Sequence, residues 1–132
     1  MSANKVTEKL LKEMGKHDFI LVNFANGDMV GHTGILKAGI KAVETVDRCL
    51  GQLLEEAKDY AILVTADHGN CEDMRKTGKS NTAHTLNKVP FVLVSEKHKN
   101  KKLKEGGLSN IAPTVLKLMK IKKPREMKNS LF

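Results

Sequence analysis

Three short, uninterrupted apolar runs limit the folds that are open to this chain. They are FILVNF at 19–24, AILVTA at 61–66 and PFVLVS at 90–95. Runs of this length that are bounded by turn residues are typical of strands buried on both faces of a parallel sheet. Such strands need helices packed above and below them, which favours a layered α/β architecture.

Helical patterns alternate with these runs. Apolar residues recur at helical spacing over 6–14 and again over 42–57, where the longest amphipathic helix is predicted. A last helix follows Ser109 or Asn110, either of which can serve as its N-cap, with Pro113 in the first turn. The alternation predicts one α/β domain with a mostly parallel sheet, and the chain shows no internal repeat or linker.

Polar segments follow the first two apolar runs and carry metal-ligand side chains, and a further histidine lies in NTAHT at 81–85. In open α/β sheets ligands bind beyond the carboxyl ends of the strands, so these side chains are expected at one common rim. Mixed carboxylate and imidazole ligands suit Mn²⁺, Zn²⁺, Fe²⁺ or Co²⁺. Five ligands exceed what one catalytic ion takes from protein, which predicts a two-metal cluster with ions roughly 4 Å apart. The candidates are Asp28, His32, Asp67, His68 and His84.

Each candidate also has an ordinary structural explanation. Asp28 suits a turn, Asp67 suits a helix cap, and an isolated histidine such as His84 is more often a surface residue than a ligand. Glu72 and Asp73 follow the second group of candidates and are expected to be solvated or to lie behind the ligands. The remaining histidines outside these segments, read as surface residues, are His17 and His98.

Composition excludes several classes of function. The net charge is +8, but the lysines are scattered, and the densest run, EKHKNKKLKEGG at 96–107, is typical of a solvated loop. Nucleic acid is therefore not an expected partner. Cys49 and Cys71 are too few for a disulfide framework. No apolar run is long enough to cross a bilayer, so a cytoplasmic protein without membrane contact is expected.

The strings NFANGDMVGHTG, TADHGN and TAHT, in this order, resemble the metal-binding segments of cofactor-independent (2,3-bisphosphoglycerate-independent) phosphoglycerate mutases, a family of the alkaline phosphatase superfamily. The resemblance covers essentially the whole chain, and the first string is far more specific than the DHG triplet. It implies an alkaline-phosphatase-like, doubly wound, mostly parallel sheet with helices on both faces. It also implies interconversion of 3-phosphoglycerate and 2-phosphoglycerate, in glycolysis and gluconeogenesis, through a phosphoserine intermediate.

Carried over by position, the resemblance implies that Asp28, His32 and His84 hold one divalent ion, usually Mn²⁺ in this family. Asp67 and His68 would contribute to a second ion, which the family completes with an aspartate and the nucleophilic serine. Residues 1–132 are accordingly expected to be the C-terminal segment of the metal-binding phosphatase domain, without its N-terminal segment and the substrate-binding domain. Ser80, in the turn KTGKSN, is not a convincing substitute nucleophile, so the isolated chain is expected to be inactive.

Two other functions remain open, and the oligomeric state is a separate question. Another enzyme of the superfamily, such as a phosphopentomutase, phosphatase or phosphodiesterase, would share the DHG triplet but not the long first string. A noncatalytic module that binds acidic partners through its basic surface would bind nucleic acid in a salt-dependent way. The full-length enzyme is expected to be a monomer, whereas an exposed sheet edge would let this chain self-associate.

Overall fold

The computed structural model describes residues 1–76 and 79–132, which form two compact units. The first unit comprises Met1–Tyr60 and His68–Pro90, and the second comprises Ala61–Asp67 and Phe91–Phe132. Helices and strands both occur, so the predicted mixed α/β class is confirmed.

Three helices form the body of the first unit: α1 (Ala3–Glu13), α2 (Asn26–Gly31) and α3 (Leu36–Glu56). Both shorter helices pack against α3. The two predicted amphipathic helices are thus confirmed as α1 and α3. No helix in the described part of the chain is long and apolar enough to span a membrane. The side chains buried between the helices are mostly small, which allows close packing; they are Ala3, Thr7, Ala42, Cys49, Leu53 and Ala57.

After α3, the first unit continues with short elements that carry the polar segments. A 3₁₀ turn (Cys71–Asp73) leads into a small antiparallel pair, β2 (Arg75–Lys76) and β3 (Lys79–Ser80). Residues 77–78 of the predicted turn KTGKSN lie outside the described residues. Gly69 forms an isolated antiparallel bridge with Thr85, so the segment after Asp67 and the segment around His84 run side by side.

The second unit contains β1 (Ile62–Thr65) and β4 (Phe91–Val94), followed by α4 (Ile111–Leu118). Asn110 occupies the N-cap position of α4, as predicted, but its side chain makes no capping bond. Its amide instead accepts a hydrogen bond from Gly107 and donates one to the Asn129 carbonyl.

The strands depart from the predicted parallel sheet in two ways. β1 and β4 pair antiparallel, with Ile62 opposite Val94. A continuous apolar run indicates that a strand is apolar on both faces. Whether the neighbouring strand runs parallel or antiparallel depends on the path of the chain that connects the two strands. The run at 19–24 is not a strand, and Phe19 and Leu21 are 52% and 85% exposed. A strand needs a neighbour for its backbone groups, and no segment among residues 1–76 and 79–132 pairs with this run.

Gly34, between α2 and α3, provides a test of this local structure. Its φ is +68°, and a Cβ at this position would overlap the Ser80 hydroxyl, which donates a hydrogen bond to the Gly34 carbonyl at 2.9 Å. We expect Gly34→Ala to lower the free energy of unfolding by about 1–2 kcal/mol, because left-handed backbone is costly for alanine. Urea denaturation measures this loss.

Gly51 is the matched control, since it lies in α3 with open space where a Cβ would stand. Gly51→Ala should raise the free energy of unfolding by about 0.5–1 kcal/mol, because alanine is the better helix former. Equal effects of the two substitutions would contradict the described conformation of Gly34.

Candidate metal centre

Asp28 and His32 lie on and directly after the short helix α2, where the sequence pattern had predicted a loop. Helical geometry, rather than loop composition, explains their spacing, because residues four apart lie on the same helix face. His32 Nε2 is 3.1 Å from Asp28 Oδ1. The structure therefore places these two side chains together on a helix and at its end, and not in the predicted loop.

His84 reaches the same point from a segment far along the chain. Its Nε2 atom lies 3.0 Å from Asp28 Oδ1 and 3.1 Å from His32 Nε2. One carboxylate oxygen and two imidazole nitrogens thus form a nearly equilateral triangle. The side chains are partly exposed, at 34% for Asp28 and 49% for His84, so solvent and ions can reach the triangle.

A backbone contact fixes the orientation of His32. Its Nδ1 atom is 2.6 Å from the Thr82 carbonyl oxygen. A carbonyl can only accept, so Nδ1 carries a hydrogen, and in the neutral form of the ring this leaves the lone pair on Nε2, which faces Asp28 and His84. A hydrogen bond from the far ring nitrogen is the usual way in which a metal-binding histidine is oriented.

His68 adjoins the triangle without completing it. Its ring stacks on His84 with centroids 3.7 Å apart, and its Nε2 atom is 3.9 Å from Asp28 Oδ1. Its Nδ1 atom faces the Gly69 carbonyl at 3.3 Å. The structure therefore brings four of the five predicted ligands together. Asp67 belongs to the second unit, and its predicted role stays a prediction.

Two contacts around the triangle were not foreseen from the sequence. Asn70 is buried, and its amide donates a hydrogen bond to Asp28 Oδ1 at 3.1 Å. The Cys71 thiol donates to the Gly27 carbonyl at 2.8 Å, which attaches the 3₁₀ turn to α2. Burial, followed by the nearby charges of Glu72 and Asp28, raises the pKa of the Cys71 thiol. The one sequence signal for Asn70 was its place directly after the DHG triplet. That place does not reveal that Asn70 contacts Asp28.

Glu72 lies behind the candidate ligands, which is one of the two alternatives that its sequence position left open. Its carboxylate accepts hydrogen bonds from the Asn70 backbone at 2.6 Å, from the Thr85 hydroxyl and from the Asn87 amide at 3.1 Å. Burial, the largest single influence, acts to raise the pKa of Glu72, but these hydrogen bonds together hold the pKa below its ordinary value. Glu72 is therefore an ionised acceptor shared by two segments.

The two remaining histidines lie elsewhere, as predicted. His17 is exposed and pairs with Glu13 at 3.5 Å, and the Nδ1 atom of His98 is 3.1 Å from the Ser95 hydroxyl. Neither contributes to the triangle formed by Asp28, His32 and His84.

The triangle fits a divalent cation in both chemistry and spacing. Ligand atoms on adjacent corners of an octahedron with bonds of about 2.1 Å are about 3.0 Å apart. The separations observed between Asp28, His32 and His84 are 3.0–3.1 Å. Three acceptor-type atoms this close repel one another unless a cation or shared protons lie between them. Two histidines and one carboxylate with open positions suit Fe²⁺, Mn²⁺ or Zn²⁺.

Comparisons with known proteins agree with this geometry. Residues 1–123 match the family described as the metalloenzyme superfamily. The chain is 51% identical over 130 residues to the 2,3-bisphosphoglycerate-independent phosphoglycerate mutase of Moorella thermoacetica, and 52% identical over 134 residues to that of Clostridioides difficile. It is 54% identical over 139 residues to that of Clostridium acetobutylicum.

These matches cover 96%, 96% and 100% of this chain but only 25%, 26% and 27% of the three relatives, respectively. The chain thus spans about a quarter of the length of the curated relatives that it matches. Its candidate metal ligands all lie within the segment matched by the family. The chain belongs to the metalloenzyme superfamily, and its sequence is similar to a quarter-length part of 2,3-bisphosphoglycerate-independent phosphoglycerate mutases.

Proposed function

We propose that this chain is the C-terminal, metal-binding part of a cofactor-independent phosphoglycerate mutase. The parent enzyme interconverts 3-phosphoglycerate and 2-phosphoglycerate through a phosphoserine intermediate, with two divalent ions, most often Mn²⁺. The observation that carries the proposal is the meeting of Asp28, His32 and His84 at 3.0–3.1 Å, in a chain about half identical to proteins of that name. Residues 1–132 then belong to the phosphatase domain, and the substrate-binding domain lies outside this chain.

The first metal position uses Asp28, His32 and His84. Three protein ligands with open positions make a complete catalytic site of the usual kind. The second position would use Asp67 and His68, with the remaining ligands supplied from outside this chain. The 3.9 Å approach of His68 Nε2 to Asp28 Oδ1 supports a second cation next to the first.

The chemical task of these residues is electrostatic. Phosphate monoesters are slow to cleave because negative charge surrounds phosphorus, and bound divalent ions supply the opposing positive charge. Asp28 contributes the negative charge that attracts a cation. His32, fixed by the Thr82 carbonyl, keeps its lone pair directed inward, so it acts as an anchor and not as a proton carrier.

The parent domain, in this proposal, is a doubly wound and mostly parallel sheet. The apolar run at 19–24 is then a strand whose neighbours lie in the rest of the enzyme. Exposure of Phe19, Leu21 and Val22 supports this assignment, because three exposed large apolar side chains in one short segment are typical of a surface that binds another protein segment.

Measurement of metal binding tests the first metal position, formed by Asp28, His32 and His84, directly. We expect the chain to bind one Mn²⁺ measurably by calorimetric titration, with a second ion bound far more weakly because only two of its ligands are present. His84→Gln should weaken the first site by more than about 100-fold, since loss of an outer-shell partner alone typically costs 10–100-fold.

His17→Gln is the control, because it removes an exposed imidazole that pairs with Glu13 and lies outside the triangle. It should leave the Mn²⁺ affinity unchanged. Two tight Mn²⁺ sites in the unmodified chain would contradict the assignment of three of its ligands to one ion and only two to the other. An equal effect of both histidine substitutions would contradict the assignment of His84.

Mutase turnover tests the part of the proposal that concerns the nucleophile. We expect the isolated chain with Mn²⁺ and 3-phosphoglycerate to form no 2-phosphoglycerate above background, because the proposal places the reactive serine in another part of the parent enzyme. The full-length mutase of Clostridium acetobutylicum serves as the positive control. Appreciable product from the isolated chain would overturn this assignment.

Measurement of self-association tests whether the exposed apolar run at 19–24 binds another protein segment. Sedimentation velocity should show a concentration-dependent increase in mass for the isolated chain, and Leu21→Lys should reduce it, because charge opposes apolar contact. Leu86→Lys adds the same charge at another fully exposed leucine and should have little effect. A monomer at all concentrations would show that the run does not drive association.

A further inference from the structure

Glu72 connects the two segments that carry the metal-binding triangle. One carboxylate oxygen accepts from the backbone N–H of Asn70 at 2.6 Å. The other accepts from the hydroxyl of Thr85, the residue next to His84, and from the Asn87 amide at 3.1 Å. Glu72 therefore supports the spacing between the 68–73 and 84–87 segments, together with the backbone bridge between Gly69 and Thr85.

From Asn70 the connection continues to Asp28. The Asn70 side chain donates to Asp28 Oδ1, the same oxygen that faces both histidines. Its own amide oxygen is buried without a hydrogen-bond partner among the described residues. The orientation that leaves this oxygen unpaired is the one that directs the NH₂ group at the carboxylate, because the reverse orientation would set two oxygens against each other.

Two glycines leave the space that this arrangement requires. A Cβ at Gly69 would overlap both the Thr85 hydroxyl and a Glu72 carboxylate oxygen. A Cβ at Gly31 would overlap the Asn70 amide oxygen. Side chains at either position would thus separate the groups that connect Glu72 with Asp28 and with the segment of His84.

We propose that Glu72 is a positioning residue of the metal centre, which acts through Asn70 on Asp28 and through Thr85 on His84 and so sets the distance between these two ligands. The inference rests on the proposed metal site. Asp28 and His84 are far apart in sequence, and both are partly exposed, so tertiary contacts must hold them 3.0 Å apart. Outer partners of this kind typically change metal affinity by about 10–100-fold when they are removed.

The experiment compares Glu72→Gln with Asp73→Asn. Both substitutions remove one negative charge, at adjacent positions, but only Glu72 accepts from Asn70 and Thr85. We expect Glu72→Gln to weaken Mn²⁺ binding by about 10–100-fold, and Asp73→Asn to leave it near that of the unmodified chain. Co²⁺ serves as the spectroscopic probe, because its visible absorption reports ligand geometry in the molecules that remain bound.

The Co²⁺ spectrum distinguishes an effect of Glu72→Gln on the positions of the ligands from an effect on the stability of the fold. Partial unfolding of the Glu72→Gln variant would lower the amplitude of the spectrum, whereas displaced ligands would change its band positions and molar absorbance. We expect changed bands at saturating Co²⁺. Unchanged bands together with unchanged Mn²⁺ affinity would overturn the inference, as would an equal effect of Asp73→Asn.

A second variant keeps the test decisive if Glu72→Gln does not fold, as judged by circular dichroism. Thr85→Val removes only the hydroxyl donor to Glu72 and should weaken Mn²⁺ binding and change the Co²⁺ bands, though less than Glu72→Gln. No effect of Thr85→Val in a folded, metal-binding chain would refute the connection to His84. Failure of the unmodified chain to bind any divalent ion would instead refute the proposed metal site itself.

Discussion

The contacts of one carboxylate oxygen, Oδ1 of Asp28, organise the polar half of the first unit. His32, His84 and Asn70 all approach this atom to within 3.0–3.1 Å. The three residues come from one short helix and two later segments, so the oxygen is the common point of otherwise separate pieces of chain. The close approach of two imidazole nitrogens to a carboxylate oxygen is unfavourable unless a cation or shared protons lie between them, which is why the group points to a cation more strongly than any of its residues alone.

The surroundings of this oxygen explain how a partly exposed site keeps its geometry. His32 is restrained by the Thr82 carbonyl, and Asp28 is restrained by the Asn70 amide. Glu72 then connects Asn70 with the segment that carries His84. Ligands on flexible surface segments would lose conformational entropy when they bind an ion, and restraints that act beforehand reduce that loss.

Sequence patterns succeeded where local physics decides the outcome. The apolar spacing over 42–57 predicts α3, because a helix satisfies its backbone groups within itself and needs only one apolar face. The same reasoning failed at 19–24, where an apolar run does not form a strand. A strand depends on a partner from elsewhere, and sequence periodicity does not show whether that partner is present or in which direction it runs.

For the candidate metal centre, the sequence by itself determined which residue types follow the first two apolar runs, and it placed Asp28, His32 and His84 in one predicted group of ligands. The tertiary structure alone decided that α2 places the first two on one helix face, that His68 stacks on His84, and that Asn70 and Glu72 support the group. The physical reason is that ligand chemistry belongs to single side chains. Distances between residues forty or more positions apart arise only from packing and from hydrogen bonds between segments, which no local pattern records.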